Sequence, residues 1–290
     1  MSHRRRRPLL LVLLAPLLAL VAACGDDDDG GPGANPSADE ASTTTEAPAA
    51  EPLRVLVTDD DGVEGAGMDA LVVALADLPD TEVTVVAPAT DQSGTGDTTS
   101  PSPPAATETT LPSGHAAIAV EGFPADAVTH ALTTVFADDP PDLVVSGINA
   151  GQNLGPVAAD LSGTVGAART AARAGVPALA VSQGIGDEFD YATGVDLTLD
   201  WIEEHRQALL DGEVATDTVA NLNVPSCTAG EVKGVVEVAT ATDLAGRDFL
   251  APVDCSVAAP ASDPADDIDA FNLGFAPLAD VPLGDPPAAP

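Results

Sequence analysis

Short apolar runs alternate with longer segments of helical spacing between residues 53 and 225. "LRVLVT" (53–58), "EVTVVAP" (82–88), "HAAIAVEG" (115–122), "PDLVVSGIN" (141–149), "PALAVSQ" (177–183) and "TVANLNVP" (218–225) read as strands. Between them, "GMDALVVALADL" (67–78), "PADAVTHALTTVF" (124–136), "SGTVGAARTAARAG" (162–175) and "YATGVDLTLDWIEEHRQALL" (191–210) carry the spacing of helices. Pro124 stands at a helix start, where its missing N–H costs little. Gly175 stands at a helix end. Strands alternating with helices in this way predict βαβ units, a mostly parallel central sheet and an α/β class. In such sheets ligands bind beyond the carboxyl ends of the strands, near a switch point. Residues 226–290 are less regular and read as a smaller C-terminal extension, an appended subdomain or dimerisation arm with a Pro/Ala end.

The polar loop over 88–114 is long enough to be functional or mobile. Its low-complexity half, from Thr98, reads as mobile. Its first half places Ser93 and Gly94 just past a strand end, where ligand contacts collect.

The N-terminus changes the picture of where the protein works. "MSHRRRRPLLLVLLAPLLALVAAC" has a basic start, Arg4 to Arg7, and an apolar stretch from Leu9 to Ala22 that ends in small residues. It reads as an export signal over residues 1–23. A spanning helix needs about 20 apolar residues, and this stretch is marginal for that. Val21-Ala22-Ala23-Cys24-Gly25 resembles the lipobox of bacterial lipoproteins, which predicts a lipid on Cys24 and an anchor on the outer side of the cytoplasmic membrane. Residues 24–51 contain no aliphatic side chain larger than Ala beyond Cys24 and read as an acidic disordered tether. A folded domain of 52–225, with its extension, is the remainder.

The net charge is −36, with 10 basic and 46 acidic residues. Four of the basic residues lie in the signal, so removing it leaves 6 against 46, a net charge of −40. No basic patch is available for a nucleic-acid duplex. An anionic small substrate needs a local cation against this field, and a bound metal ion is the natural one. With Cys24 assigned to lipid, Cys227 and Cys255 remain as a pair in an oxidising compartment, where a disulfide between them is plausible.

Four polar clusters follow predicted strands or start a helix. They are Asp59-Asp60-Asp61-Gly62, Gln92-Ser93-Gly94, the stretch Ser146 to Gly155 with Asn149, Gly151 and Asn153, and Ser162-Gly163-Thr164. A parallel sheet brings all four to one edge. Carboxylates with a hydroxyl and an amide oxygen form a hard oxygen site, suited to Mg²⁺ or Mn²⁺ rather than Zn²⁺. Gly62, Gly94, Gly151 and Gly163 allow backbone to approach a phosphate, and the helix beginning near Ser162 offers free N–H groups to an anion.

These pieces resemble the SurE family, the stationary-phase survival proteins, which act as metal-dependent nucleotidases and acid phosphatases. The resemblance rests on "LVTDDDGVEGAGMDAL", "VVAPATDQSG", "VEGFPADAVTHAL", "PDLVVSGINAGQNLG", "LSGTVGAARTAARAGVPALAVS" and "NLNVP", and covers most of residues 53–225. It implies a Rossmann-like three-layer fold, often dimeric, that hydrolyses phosphomonoesters such as nucleoside 5′- or 3′-monophosphates. It carries the divalent-metal ligands to Asp60, Asp61, Ser93 and Asn149, and the phosphate side to Asn153, Ser162, Gly163 and Thr164. Asp60, Asp61 and Asn153 are then the catalytic candidates, with Asp59, Gly62, Gly94 and Gly151 lining the substrate side.

The chain departs from the family at Asp59, where Asn is usual, and at Phe123, where Thr is usual. Two other functions fit parts of the pattern. "VLVTDDDGV" also matches the strand-DxDG motif of haloacid-dehalogenase phosphatases, which would make Asp59 a nucleophile. That chemistry needs a downstream lysine, and Lys233 is the one lysine in the chain. A non-catalytic lipoprotein that binds a metal or nucleotide is the other reading. His115 and His130 read as structural or exposed, Arg169 and Arg173 as members of surface ion pairs, and Trp201 and Phe189 as core residues.

Overall fold

In the computed structural model, residues 51–260 and 262–285 are described; the signal, Cys24 and nearly all of the tether lie outside them. The chain runs β1 (Leu53–Thr58), α1 (Ala66–Ala76), β2 (Thr81–Pro88), β3 (Ala106–Thr110), β4 (Ala116–Val120), α2 (Pro124–His130), β5 (Leu143–Ala150), α3 (Gly155–Leu161), α4 (Gly163–Arg173), β6 (Ala178–Gln183), α5 (Tyr191–Leu210) and β7 (Thr218–Val224). The extension adds β8 (Cys227–Ala229), β9 (Val235–Glu237), β10 (Val253–Asp254), α6 (Asp267–Asn272) and β11 (Ala276–Pro282).

The main sheet has the order β3-β4-β2-β1-β5-β6-β7-β11-β9. Strands β4 to β7 are parallel, and β3 and β11 join antiparallel to β4 and β7. Period-two alternation sends Leu53, Val55 and Val57 of β1 to one face, under Met68, Leu71 and Leu75 of α1 and Ile202 of α5. Leu56 goes to the other face, with Val128 of α2 and Val165, Ala168 and Ala171 of α4. Both faces are therefore covered, and each buried Leu or Val contributes about 1.5–3 kcal/mol. The small residues of α4 let that helix lie close to the sheet.

From β1 the chain builds outward through β2 to β4, then crosses to the other side of β1 with β5. The crevice at the carboxyl ends of β1 and β5 is thus the switch point, and Asp59–Asp61 and Asn149 emerge there.

Three expectations are corrected. The segment after Thr98 is not structureless. Ser100 donates to Asp126 through both N–H and Oγ, and β3 forms from the β-branched "ATETT". Arg169 is 7% exposed; its Nε donates to the Pro282 carbonyl and it pairs with Asp160, so it ties α4 to β11. Phe189 is 39% exposed and stacked on Tyr191, while Trp201 is buried as expected. The smaller C-terminal extension is present as expected, and it joins the main sheet through β11 and β9.

The remainder of the extension packs as a small lobe. It has the β8–β10 ladder, the Cys227–Cys255 disulfide with Cα atoms 5.5 Å apart, and its own cluster of Val253, Cys255, Ile268 and Phe271.

Candidate active site at the switch point

Asp59, Asp60 and Asp61 take three different positions. Asp59 is fully buried; its Oδ1 accepts the Asp60 N–H at 2.9 Å and its Oδ2 has no partner. Asp60 is 3% exposed, and its Oδ1 accepts the Thr164 hydroxyl at 2.6 Å. Asp61 is half-buried, and its Oδ2 accepts the Ala150 N–H at 2.9 Å.

These bonds knit the four sequence clusters together. The Asp60 carbonyl accepts the Gln92 N–H at 2.8 Å, bringing the Ser93 turn to Asp60. Asn153 Nδ2 donates to Ser182 Oγ at 2.8 Å and to Thr164 Oγ1 at 3.3 Å. Thr164 therefore links Asp60 to Asn153. Its hydroxyl is committed to holding those groups. Ser162 caps α4 by accepting the Val165 N–H at 3.1 Å, which leaves its hydroxyl proton available. The N–H groups of Gly163 and Thr164 open the helix without a partner among the described residues.

Glycines shape the cradle at two points. A Cβ at Gly163 would lie 2.9 Å from Asp60 Oδ2, so α4 starts against that carboxylate only with glycine. A Cβ at Gly62, whose φ is +82°, would lie 2.9 Å from the Thr90 backbone, so the loops after β1 and β2 close on each other only with glycine there. Gly94 and Gly151 open onto free space.

Three oxygens at the site accept no hydrogen bond among the described residues: Asp60 Oδ2, Asp61 Oδ1 and Asn149 Oδ1. Asn149 spends its amide nitrogen on the Gly151 carbonyl at 2.5 Å, which directs its oxygen away from that contact. Ser93 donates its proton to Asp91 at 2.6 Å and keeps its lone pairs. This is an all-oxygen donor set, the kind a hard divalent cation takes. Among the described residues no lysine or arginine competes for the position. Arg54, Arg169, Arg173 and Arg247 are paired with Asp139, Asp160, Asp97 and Asp266, respectively. Arg206 donates to Pro79 and Asp80, and Lys233 to Leu273. The residues present therefore fit a metal ion.

The electrostatics agree. Burial pushes the Asp59 carboxyl well above its usual range, and the charges of Asp60 and Asp61 push it further. Burial also raises Asp61, against the pull of the Ala150 N–H, with Asp60 and Asp91 adding to the rise. The neighbouring Tyr191 is pushed up to about 12 by burial, then by Asp61 and Asp59.

The family model described as "Survival protein SurE" matches residues 55–247. The chain belongs to the SurE family. It is 38% identical over 190 residues to "5'-nucleotidase SurE" of Methanocella arvoryzae, covering 63% of this chain and 71% of that protein. It is 43% identical over 197 residues to the protein of the same name from Methanopyrus kandleri, with the same coverage. The SurE protein of Aquifex aeolicus superposes with a TM-score of 0.63 at 26% identity, covering 79% of this chain and 93% of that one. As a SurE protein the chain is a phosphoric monoester hydrolase, and the family is in general divalent-metal dependent.

Two expectations for Asp59 are corrected by its burial. It has no surface with which to contact a substrate, and it cannot serve as a dehalogenase-type nucleophile. Lys233 is no help to that chemistry either, because it lies in the C-terminal lobe over the Phe275 ring. A protonated Asp59 has the shape of the Asn usual in the family.

Some of the site's supports escaped the sequence reading. Asn223 Oδ1 accepts the Asn153 N–H at 2.6 Å, and Asn221 and Asn223 both donate to the Asn153 carbonyl, at 2.9 and 3.1 Å. The signal was present in "NLNVP": two asparagines at strand spacing share one face of β7.

Proposed function

We propose that the chain hydrolyses nucleoside 5′- or 3′-monophosphates with Mg²⁺ or Mn²⁺, and does so outside the cytoplasmic membrane, held there by lipid on Cys24. The observation that carries the reading is the knitted edge of Asp60, Asp61, Ser93 and Asn149. It has free hard oxygens, and every lysine and arginine of the described residues is engaged elsewhere. These four residues would hold the cation. When bound, the cation supplies charge neutralisation at the phosphoryl group and a more acidic water. The chain's own part is orientation. Thr164 and Gly163 fix Asp60, the Ala150 N–H fixes Asp61, and Ser162 with the Gly163 and Thr164 N–H groups offers donors to phosphoryl oxygens. Asn153 holds Thr164 from behind in this arrangement.

The relatives are named for 5′-nucleotidase activity, which supports a nucleotide substrate. Among the described residues no helix is long and apolar enough to cross a membrane, so anchoring rests on the lipobox at Cys24. A homodimer, as is common in the family, is part of the same reading. The test is a panel of 5′- and 3′-nucleoside monophosphates, beside p-nitrophenyl phosphate, assayed with each metal. Preference for the nucleotides supports the proposal. Equal or better turnover of simple aryl phosphates, with no nucleotide cleaved, refutes the substrate class.

A further inference from the structure

Asp267 starts α6, far along the chain from the catalytic edge, yet its carboxylate ends beside the Asn153 loop. It is fully buried, and Oδ2 accepts the Gly155 N–H at 2.9 Å. Oδ1 accepts the Ala241 and Ile268 N–H groups at 2.8 and 2.9 Å. Three backbone donors converging on one buried carboxylate make a rigid joint.

The joint is surrounded by a second set of contacts between the same two parts. Leu154, between Asn153 and Gly155, is fully buried in the lobe's cluster with Cys255, Ile268 and Phe271. A Cβ at Gly155 would lie 2.9 Å from Ile268 Cδ1, so loop and lobe meet without slack. On the other side of Asn153, Gln152 Nε2 donates to the Phe249 carbonyl of the lobe at 2.8 Å, and its Oε1 accepts the Ile185 N–H at 2.8 Å. The loop that carries Asn153 is thus held by the lobe at 152, 154 and 155.

We propose that the disulfide-closed C-terminal lobe is a positioning element of the hydrolytic site, with Asp267 as the positioning residue that acts through Gly155 on Asn153. The chain of contacts then runs from Asp267 to Gly155, to Asn153, to Thr164 and to Asp60. The Cys227–Cys255 bond closes the lobe whose interior seats Leu154. The inference rests on the catalytic site lying at the Asp60–Asn149 edge.

Asp267→Asn is the selective test, because the carboxamide keeps Oδ1 for Ala241 and Ile268 but turns an N–H₂ toward the Gly155 N–H. The full-length protein is compared with this variant and with Arg247→Gln, which removes ion pairs to Asp266 and Asp269 on the same helix but spares the joint. At a temperature where all are folded, Asp267→Asn is expected to lose kcat by ~10-fold or more, the scale of a small misplacement of catalytic groups. Inhibition by inorganic phosphate weakens in parallel, and Mn²⁺ affinity by calorimetry falls with it, because the route ends on Asp60. Arg247→Gln keeps its kcat. Wild-type kcat in Asp267→Asn overturns the inference, as does a loss in both variants that simply follows their melting temperatures.

Should Asp267→Asn fail to fold, reducing the Cys227–Cys255 bond of the wild type with a phosphine gives the second reading. A reversible fall in kcat supports the inference and unchanged turnover overturns it. An active Asp61→Asn variant would instead remove the site assignment beneath it. An inactive Asp61→Asn with unimpaired Asp267→Asn sinks the lobe's role alone.

Discussion

Replacing Asp59 with asparagine removes a buried carboxylate that faces no solvent, and the result tests how the three aspartates divide their work. Oδ1 is replaced by an amide oxygen that keeps the Asp60 N–H bond. The unpartnered Oδ2 becomes an N–H₂ beside the Asp60 carboxylate. A buried polar atom without a partner costs about 1–3 kcal/mol, so the variant gains about that much at neutral pH. At ~2–4 °C per kcal/mol for a domain of this size, the melting temperature rises by several degrees. The pH dependence follows from the raised Asp59 carboxyl, caused first by burial and then by Asp60 and Asp61. Below the unfolded value of about 3.9 both states hold the proton, and wild type and variant differ little. Above it the unfolded chain ionises while the folded one keeps its proton, so wild-type stability falls until the folded value is passed. The variant's advantage therefore opens above about pH 4 and widens with rising pH. Urea denaturation of both proteins at a series of pH values, with chelator present, reads this directly. Turnover is retained. An advantage that is constant with pH, or greatest in acid, refutes the reasoning, and so does a variant without activity.

Thr164→Val removes the hydroxyl between Asp60 and Asn153; steady-state kinetics should show a fall in kcat, and denaturation a loss of ~1–3 kcal/mol. Gly163→Ala sets a methyl 2.7 Å from Asp60 Cβ, and calorimetry should find weakened Mn²⁺ binding together with reduced turnover. Asp267 is raised by burial, against three N–H groups that lower it, so its contribution to stability declines as pH rises from the unfolded value through the folded one; Asp267→Asn flattens that part of the denaturation profile. Incorporation of labelled palmitate should be lost in Cys24→Ser, and its persistence would remove the lipobox reading.

The catalytic half of the fold is written in local patterns. "LRVLVT" is apolar enough to be covered on both faces, and the helices between strands show their spacing plainly, so the switch-point edge follows from the alternation. The elements missed have weaker local signals. β3 is a Thr-rich strand in a stretch of Pro and Ser, and it exists because β4 offers it an antiparallel edge. β8, β9 and β10 are two or three residues long and depend on the disulfide and on β11 for partners. Arg169, one turn from Arg173, has the spacing of an exposed helix face, and only the arrival of β11 over α4 buries it. The site shows the same division. Asp60, Asp61 and Asn149 stand at predicted strand ends, whereas the burial of Asp59 and the reach of Asp267 to Gly155 are tertiary facts.

The most direct measurement is the rate of phosphomonoester hydrolysis by wild type and Asp61→Asn across a Mn²⁺ titration, with a chelated control. The predicted result is wild-type turnover that rises with metal, disappears with chelator and is absent from the folded Asp61→Asn protein at every metal concentration. Metal-independent turnover in the wild type, or wild-type rates in Asp61→Asn, would contradict a metal-assisted site at the ends of β1 and β5.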